Sequence, residues 1–334
     1  MEFASSEVLN SYNYAIRCDH IYAGMFTEEQ IERLEIESFD KTPYNMEYSL
    51  IRNKNFILKE NDSIFCSLDL IDELFYILSK VKNLKNIKLL THQSDKSISK
   101  QMFEKKPDCI SLWLGINVDF VHDKLIPIPI GLANNHPKNI QFNNLIFMED
   151  LKKTSKLYLN FNENTNYKHR SELFEKFKKF EWVFTDNPEL PIEEYVEKIK
   201  KYNFVLCPWG NGIDTHRFWE TIYLGSIPIT VKHYTYSAAN SLPHILVDSY
   251  DEIIPDQLQK YLDNKQQYNY EKLKVNYWIG LMKSNIVSNN TFTVNNNKFI
   301  SAAFKVKYSF NKSVFSKHKI VKYYLKKIKE RLTG

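Results

Sequence analysis

Phe204-Val-Leu-Cys-Pro-Trp-Gly-Asn-Gly-Ile-Asp-Thr-His-Arg-Phe-Trp-Glu-Thr-Ile-Tyr-Leu-Gly-Ser-Ile-Pro-Ile-Thr-Val231 is the stretch whose reading decides the fold. Phe204 to Leu206 is apolar without alternation, as in a strand covered on both faces. Gly210 and Gly212 can take backbone angles that other residues avoid and let a ligand approach the main chain. Asp214 stands where a helix N-cap belongs, and Gly225 where a helix stops. Ile227-Pro-Ile-Thr-Val231 then resumes as a second buried strand. At about 100° per residue, Phe218, Trp219 and Ile222 share one arc, which is expected to pack on the sheet. His216, Arg217 and Glu220 share the opposite arc.

That second arc has the chemistry of an anion site. A helix N-terminus carries about half a positive charge and unpaired N–H groups. Arg217 adds a planar fork suited to phosphate oxygens. Glu220, one turn further in, can accept hydrogen bonds from a pair of sugar hydroxyls. A pyrophosphate beside a ribose fits this layout, so a nucleotide-sugar site is expected, with Gly210, Asn211, Gly212 and Asp214 lining its turn. The plainer alternative is a surface helix on which Arg217 and Glu220 pair with each other. A dinucleotide-dependent oxidoreductase using NAD(P) is a nearer rival, because Gly210-Asn-Gly212-Ile-Asp-Thr215 almost spells G-x-G-x-x-G. The third glycine is Thr215, however, and the next strand ends in Thr230, Val231 and Lys232 rather than in a ribose-binding acid.

The string CPWGNGIDTHRFWETIYLGSIPIT resembles the donor-site signature of exostosin-like glycosyltransferases, family 47 and its bacterial and viral relatives. Such proteins show a Pro-x-Gly turn, an Arg-bearing helix with a later acid, and a Gly-x-Ile-Pro-Ile strand. The resemblance implies a GT-B fold: α/β, with two Rossmann-like doubly wound domains facing across a cleft. It also implies a nucleotide-diphosphate sugar donor, no metal or other cofactor, and inversion at the anomeric carbon. The reaction expected is hexosyl or pentosyl transfer to a hydroxyl of a glycan or lipid-linked glycan.

Outward from the motif, strands alternate with helical spacing, the sequence form of a parallel sheet. Ser63-Ile-Phe-Cys66, Ile87-Lys-Leu-Leu-Thr91, Cys109-Ile-Ser-Leu-Trp-Leu114 and Leu125-Ile-Pro-Ile-Pro-Ile-Gly131 read as strands of a first domain over residues 1–145. Helices are expected at 28–38, 69–81 and 98–103. The phrases LLTHQSD, WLGINV and IPIPIGLAN resemble the same family, whose first domain holds the acceptor and supplies the base of inverting members. A base needs a carboxylate or neutral imidazole within hydrogen-bond reach of the acceptor. His92 and Asp95, at a strand's carboxyl end, are the candidates, and the residues alone do not separate them. The alternative is that Asp95 caps the following helix while His92 bonds nearby backbone. Cys18-Asp19-His20 is a further polar cluster, either entering a cleft or forming a surface turn.

A turn-rich run at 134–144 marks the linker to a second domain over 146–290. There Lys156-Leu-Tyr-Leu-Asn-Phe161 reads as the first strand, leading to a helix near His169. Asn160 and Arg170 lie where a strand-to-helix loop faces the cleft, and Arg170 is a candidate second phosphate ligand. The amphipathic helix at 192–202 presents Glu193, Glu194 and Glu197 as its wet face. Residues 291–334 form a basic tail expected to pack back on the first domain or on a membrane surface. From Lys305 onward it carries ten Lys and Arg against Glu330, a net +9, which leaves −4 for the rest of a chain of net charge +5. That composition suits an anionic membrane surface, or a nucleic-acid-binding protein as a further rival.

With 334 residues, 43% hydrophobic and 14% aromatic, the chain can bury two cores. The four cysteines have no C-x-x-C spacing and read as small core residues. Neither a secretory signal nor a spanning segment is legible, so a cytoplasmic protein, peripheral at most, is expected. There is no Asp-x-Asp, P-loop, H-E-x-x-H or G-x-S-x-G. Charge on a departing diphosphate is therefore expected to be offset by Arg217, His216, Arg170 and the helix N-terminus.

Overall fold

The structure, a computed structural model, describes residues 4–133, 153–264, 267–283 and 290–295. The first half runs α1 (Ser11–Ala15), β1 (His20–Phe26), α2 (Glu28–Glu32), β2 (Phe39–Pro43), β3 (Ser49–Asn53) and β4 (Asn55–Lys59). It continues with β5 (Ser63–Ser67), α3 (Ile71–Leu78), β6 (Ile87–His92), α4 (Lys100–Phe103), β7 (Ile110–Gly115) and β8 (Leu125–Pro127). Seven of these strands form one sheet in the order β2-β3-β1-β5-β6-β7-β8. β1, β5, β6, β7 and β8 are parallel, and β3 runs antiparallel beside β1.

Alternation along the strands sends neighbours to opposite faces. Ile64, Cys66, Leu89 and Trp113 pack with Leu74, Phe75 and Leu78 of α3 and Phe103 of α4. Phe65, Leu90 and Leu114 join a second core with Tyr14 and Ala15 of α1. Because the parallel strands follow in chain order, right-handed crossovers put α3 and α4 on one face. The other face is covered by α1 and by a helix from the far end of the chain. The expected helix at 28–38 is confined to Glu28–Glu32, closed by a Thr27–Gln30 capping box. Asp19 accepts hydrogen bonds from Ser63 N (2.8 Å) and Oγ (2.7 Å), and His20 pairs with Asp62 at 2.8 Å. These residues join the amino ends of β1 and β5, so the cluster belongs to strand pairing and enters no cleft.

The second half runs β9 (Thr154–Leu159), α5 (Tyr167–Phe177), β10 (Val183–Thr185), α6 (Ile192–Lys201), β11 (Tyr202–Leu206), α7 (His216–Tyr223), β12 (Ile227–Val231), β13 (Ile245–Val247) and α8 (Pro255–Asp263). All five strands are parallel, in the order β10-β9-β11-β12-β13. Leu173 and Phe177 of α5 and Leu258 of α8 pack on one face with Phe204 and Leu206. Val196 and Ile199 of α6, with Phe218, Trp219 and Ile222 of α7, pack on the other with Tyr158 and Val205. This is a doubly wound sheet whose winding reverses between β9 and β11, the position where such folds open a crevice at the strands' carboxyl ends.

The chain then returns to its beginning. α9 (Val275–Gly280) lies against α1, Val275 N donates to Glu7 O at 2.8 Å, and β14 (Thr291–Asn295) pairs antiparallel with β4. The molecule is thus two Rossmann-like α/β units. No helix among the described residues is long and apolar enough to cross a membrane. The expected linker at 134–144, the 145/146 boundary and the basic run from Lys305 lie outside the described residues.

Candidate functional site

The carboxyl ends of the two parallel sheets meet along one seam. From the first unit, the segments after β6, β7 and β8 supply Asp95, Asn117, Ile130 and Gly131. Asn117 Oδ1 accepts from Asp214 N at 2.8 Å, Asp214 Oδ2 accepts from Ile130 N at 2.8 Å, and His216 Nδ1 donates to Gly131 O at 2.8 Å. Gly131 has φ +68°, and a Cβ there would lie 2.2 Å from Leu9 O, so only glycine fits. Gly212 needs no special angle, yet a Cβ on it would meet Asn117 Nδ2 at 3.1 Å and Asp95 Cα at 3.4 Å. Its role is close approach between the two units.

These contacts correct two expectations. Thr215, with extended φ and ψ, is the N-cap of α7. Asp214 is buried one position earlier, where its carboxylate also accepts from Thr215 N (3.0 Å) and from Trp219 Nε1 (2.9 Å). Burial pushes its pKa up to about 7, against three N–H donors that pull it down. Asp214 therefore holds the seam together and is not placed to touch a donor, while the half-buried His216 spends its Nδ1 on the same seam. The other end of α7 stops as its sequence predicts. Gly225 has φ +73°, its N–H bonds Ile222 O at 3.0 Å, and Ser226 N bonds Thr221 O at 2.9 Å, a Schellman closure.

Arg170 is also reassigned. It is buried, with Nε donating to Trp209 O (2.9 Å), Nη2 to Pro208 O (2.8 Å), and Nη1 to Asn162 O (2.9 Å) and Thr165 Oγ1 (2.6 Å). Four of its five donor hydrogens are thus spent on two loops, and the side chain braces the turn instead of holding a phosphate. A Cβ on Gly210 would sit 3.2 Å from Nη2, so that glycine makes room for the brace. Asn211 is exposed at the tip.

Arg217 is different. It is half-buried at the reversal point, and its one hydrogen bond among the described residues is a long one, from Nη1 to Asn160 Oδ1 at 3.4 Å. Its guanidinium lies 5.1 Å from the ring centroid of Tyr195, whose hydroxyl donates to Glu220 Oε2 at 2.7 Å. Burial, the largest single influence, lowers its pKa, but Tyr195, Glu220, Cys207 and Tyr158 together raise it, so the charge is held. The same charge, after burial, pushes Arg170 down to about 10. Asn160 is fully buried, its Nδ2 donating to Asn187 O at 2.6 Å, and so positions Arg217 from behind. Two further polar atoms of this turn, Trp209 Nε1 and Thr215 Oγ1, are buried without a partner among the described residues. Unpaired buried groups are costly, and here one belongs to the N-cap residue of α7 and the other to the residue whose carbonyl holds Arg170.

Of the two base candidates, His92 is buried with both ring nitrogens engaged. Nδ1 accepts from Gln93 N at 2.8 Å and Nε2 donates to Ile130 O at 3.0 Å. Burial, then the neighbouring His216, drives its pKa down to about 3. Neither nitrogen can take an acceptor's proton, so the backbone-bonding alternative describes His92. Asp95 is exposed with its backbone against Gly212, and Ser99, not Asp95, caps α4. Sequence reading missed Tyr195, which shares the apolar arc of α6 and reads there as core. It also missed Asn117, whose partner lies 97 residues away. Among the described residues no group of three or more His, Cys, Asp or Glu could hold a metal ion.

No protein-family model matches the chain, and no curated protein matches it. Two solved structures resemble it distantly. One is an α1,3-fucosyltransferase with GDP-fucose, 14% identical over 68% of this chain and 91% of that one, with a TM-score of 0.33. The other is the UDP-GlcNAc 2-epimerase of Methanocaldococcus jannaschii, 10% identical over 66% of this chain and 76% of that one, with a TM-score of 0.31. Neither likeness is close enough to bear on the site.

Proposed function

We propose that the protein is a metal-independent glycosyltransferase that takes a sugar from a nucleotide-diphosphate donor and moves it to a hydroxyl of a glycan or glycolipid. The observation that carries this reading is the state of Arg217. A charged guanidinium with one 3.4 Å bond stands beside a second guanidinium at the crevice of a doubly wound sheet. Arg170 is committed to the turn and only adds to the positive field there, so Arg217 is the fork left to hold an anion, and a diphosphate supplies that anion. Glu220, whose Oε1 makes no hydrogen bond among the described residues, is then placed to accept from ribose hydroxyls.

In this reading the acceptor oxygen bonds to the anomeric carbon as the bond from that carbon to the diphosphate oxygen breaks. The bonding pair leaves with the diphosphate, where Arg217 and the start of α7 stabilise it. The acceptor's proton goes to the carboxylate of Asp95, an exposed residue of the first unit whose backbone flanks Gly212. This gives inversion. The test is thermal-shift titration with UDP, GDP, ADP and CDP without divalent metal, on the native chain and Arg217→Ala. At least one diphosphate should raise the melting temperature of the native chain and leave the variant's unchanged. Equal shifts in both proteins, or stabilisation by NAD alone, would overturn the assignment.

A further inference from the structure

The side chain that links the two proposed ligand-binding groups is Tyr195, on a different helix from both. Its ring backs the Arg217 guanidinium at 5.1 Å and its hydroxyl donates to Glu220 Oε2 at 2.7 Å. A guanidinium over an aromatic face is held at a fixed height. A carboxylate with one oxygen occupied by a phenol is held in rotation, and its other oxygen becomes a directed acceptor. Arg217 and Glu220 are three apart on α7, where they would otherwise reach toward each other. Tyr195 stands between them and keeps the pair from collapsing into an internal salt bridge. No Arg217–Glu220 bond or ion pair occurs in the structure, although Tyr195 and Glu220 both act on the Arg217 charge.

We infer that Tyr195 is the residue that sets selectivity for the ribose of the bound nucleoside diphosphate, by aiming Glu220 at a ribose hydroxyl while its ring steadies Arg217 against the diphosphate. The inference rests on the donor-site reading above, and the experiment separates the two. Calorimetric titration would use the tightest of UDP, GDP, ADP and CDP, together with its 2′-deoxy and 3′-deoxy counterparts. The native chain should prefer the ribose form over at least one deoxy form by about ten- to hundredfold, the effect of one lost hydrogen bond to a charged group. Tyr195→Phe keeps the ring and loses the hydroxyl. It should shrink that preference to under about twofold while binding the deoxy forms as the native chain does. Tyr195→Leu, which also loses the ring, should in addition weaken inorganic pyrophosphate severalfold. A Tyr195→Phe variant that keeps the native preference, or that weakens all three nucleotides alike, overturns the inference and leaves the donor site standing. A native chain that binds none of the four diphosphates overturns the donor site, and the inference with it.

Discussion

Arg217 and Arg170 have the same side chain and lie within each other's field, yet their surroundings predict opposite behaviour on removal. Arg170 satisfies the carbonyls of Asn162, Pro208 and Trp209. Truncation leaves the buried carbonyl of Pro208 and the part-buried bond to Trp209 without their donor and unties the two loops, so Arg170→Ala should lower stability to urea by about 2–4 kcal/mol. Arg170→Lys should rescue little, since an ammonium cannot match a fork that faces three carbonyls. Arg217 makes one long bond and opposes a like charge. Arg217→Ala should therefore change stability by less than about 1 kcal/mol in either direction while abolishing diphosphate binding. Urea melts of both variants check the contrast, and a destabilised Arg217→Ala with a native-like Arg170→Ala would reverse the two roles. Asp95→Asn should leave diphosphate binding intact and slow sugar transfer from whichever donor binds. A variant that lost binding would make Asp95 a ligand group and not the base.

At the scale of elements, α7 was the most legible part of the chain, and the reason is local. Its buried arc of Phe218, Trp219 and Ile222 contributes about 2–3 kcal/mol per side chain, and its stop depends on one glycine with φ +73°. Nothing lies within 4 Å of a Cβ placed on Gly225, so Gly225→Ala should cost only the left-handed strain, about 1 kcal/mol. Gly131→Ala, by contrast, would drive a carbon to 2.2 Å from Leu9 O and should prevent native folding or shift the seam, read as loss of a cooperative thermal transition. Periodicity distinguishes neither case, because the partner of Gly131 comes from the other end of the same unit. β2 and β3 were opaque for a related reason. Ser49–Asn53 is buried at every position, and Phe39–Pro43 is nearly all exposed, so neither alternates. The start of α7 misled because Asp214 and Thr215 are both good N-caps by composition. Only the seam, through Asn117 and Ile130, decides that Asp214 faces inward.

The seam is where the whole molecule becomes more than two sheets, and Ile130 sits at its centre. Its N–H donates to Asp214 and its carbonyl accepts from His92, so an acid and an imidazole from different units bond opposite sides of one peptide residue. Sequence could name both side chains but not this junction, since Asp214 lies 84 residues from Ile130. Their titrations oppose each other. The folded pKa of Asp214, about 7, stands above its ordinary 3.8. The folded state therefore binds that proton more tightly, and the stability it contributes is full below about pH 4 and lost as pH rises to about 7. The folded pKa of His92, about 3, stands below its ordinary 6.5. Its contribution is full above about pH 6.5 and lost as pH falls toward 3. Between about pH 4 and 6.5 the two slopes, each up to about 1.4 kcal/mol per pH unit, nearly cancel. Each single variant should expose the other partner. Relative to the native chain, Asp214→Asn should gain stability to urea as pH rises through that window, and His92→Gln should lose it. Other titrating groups are common to all three proteins and drop out of the differences. Two variants with the native pH profile would mean that the seam does not hold this acid and this imidazole out of water, and that the two units part there in solution.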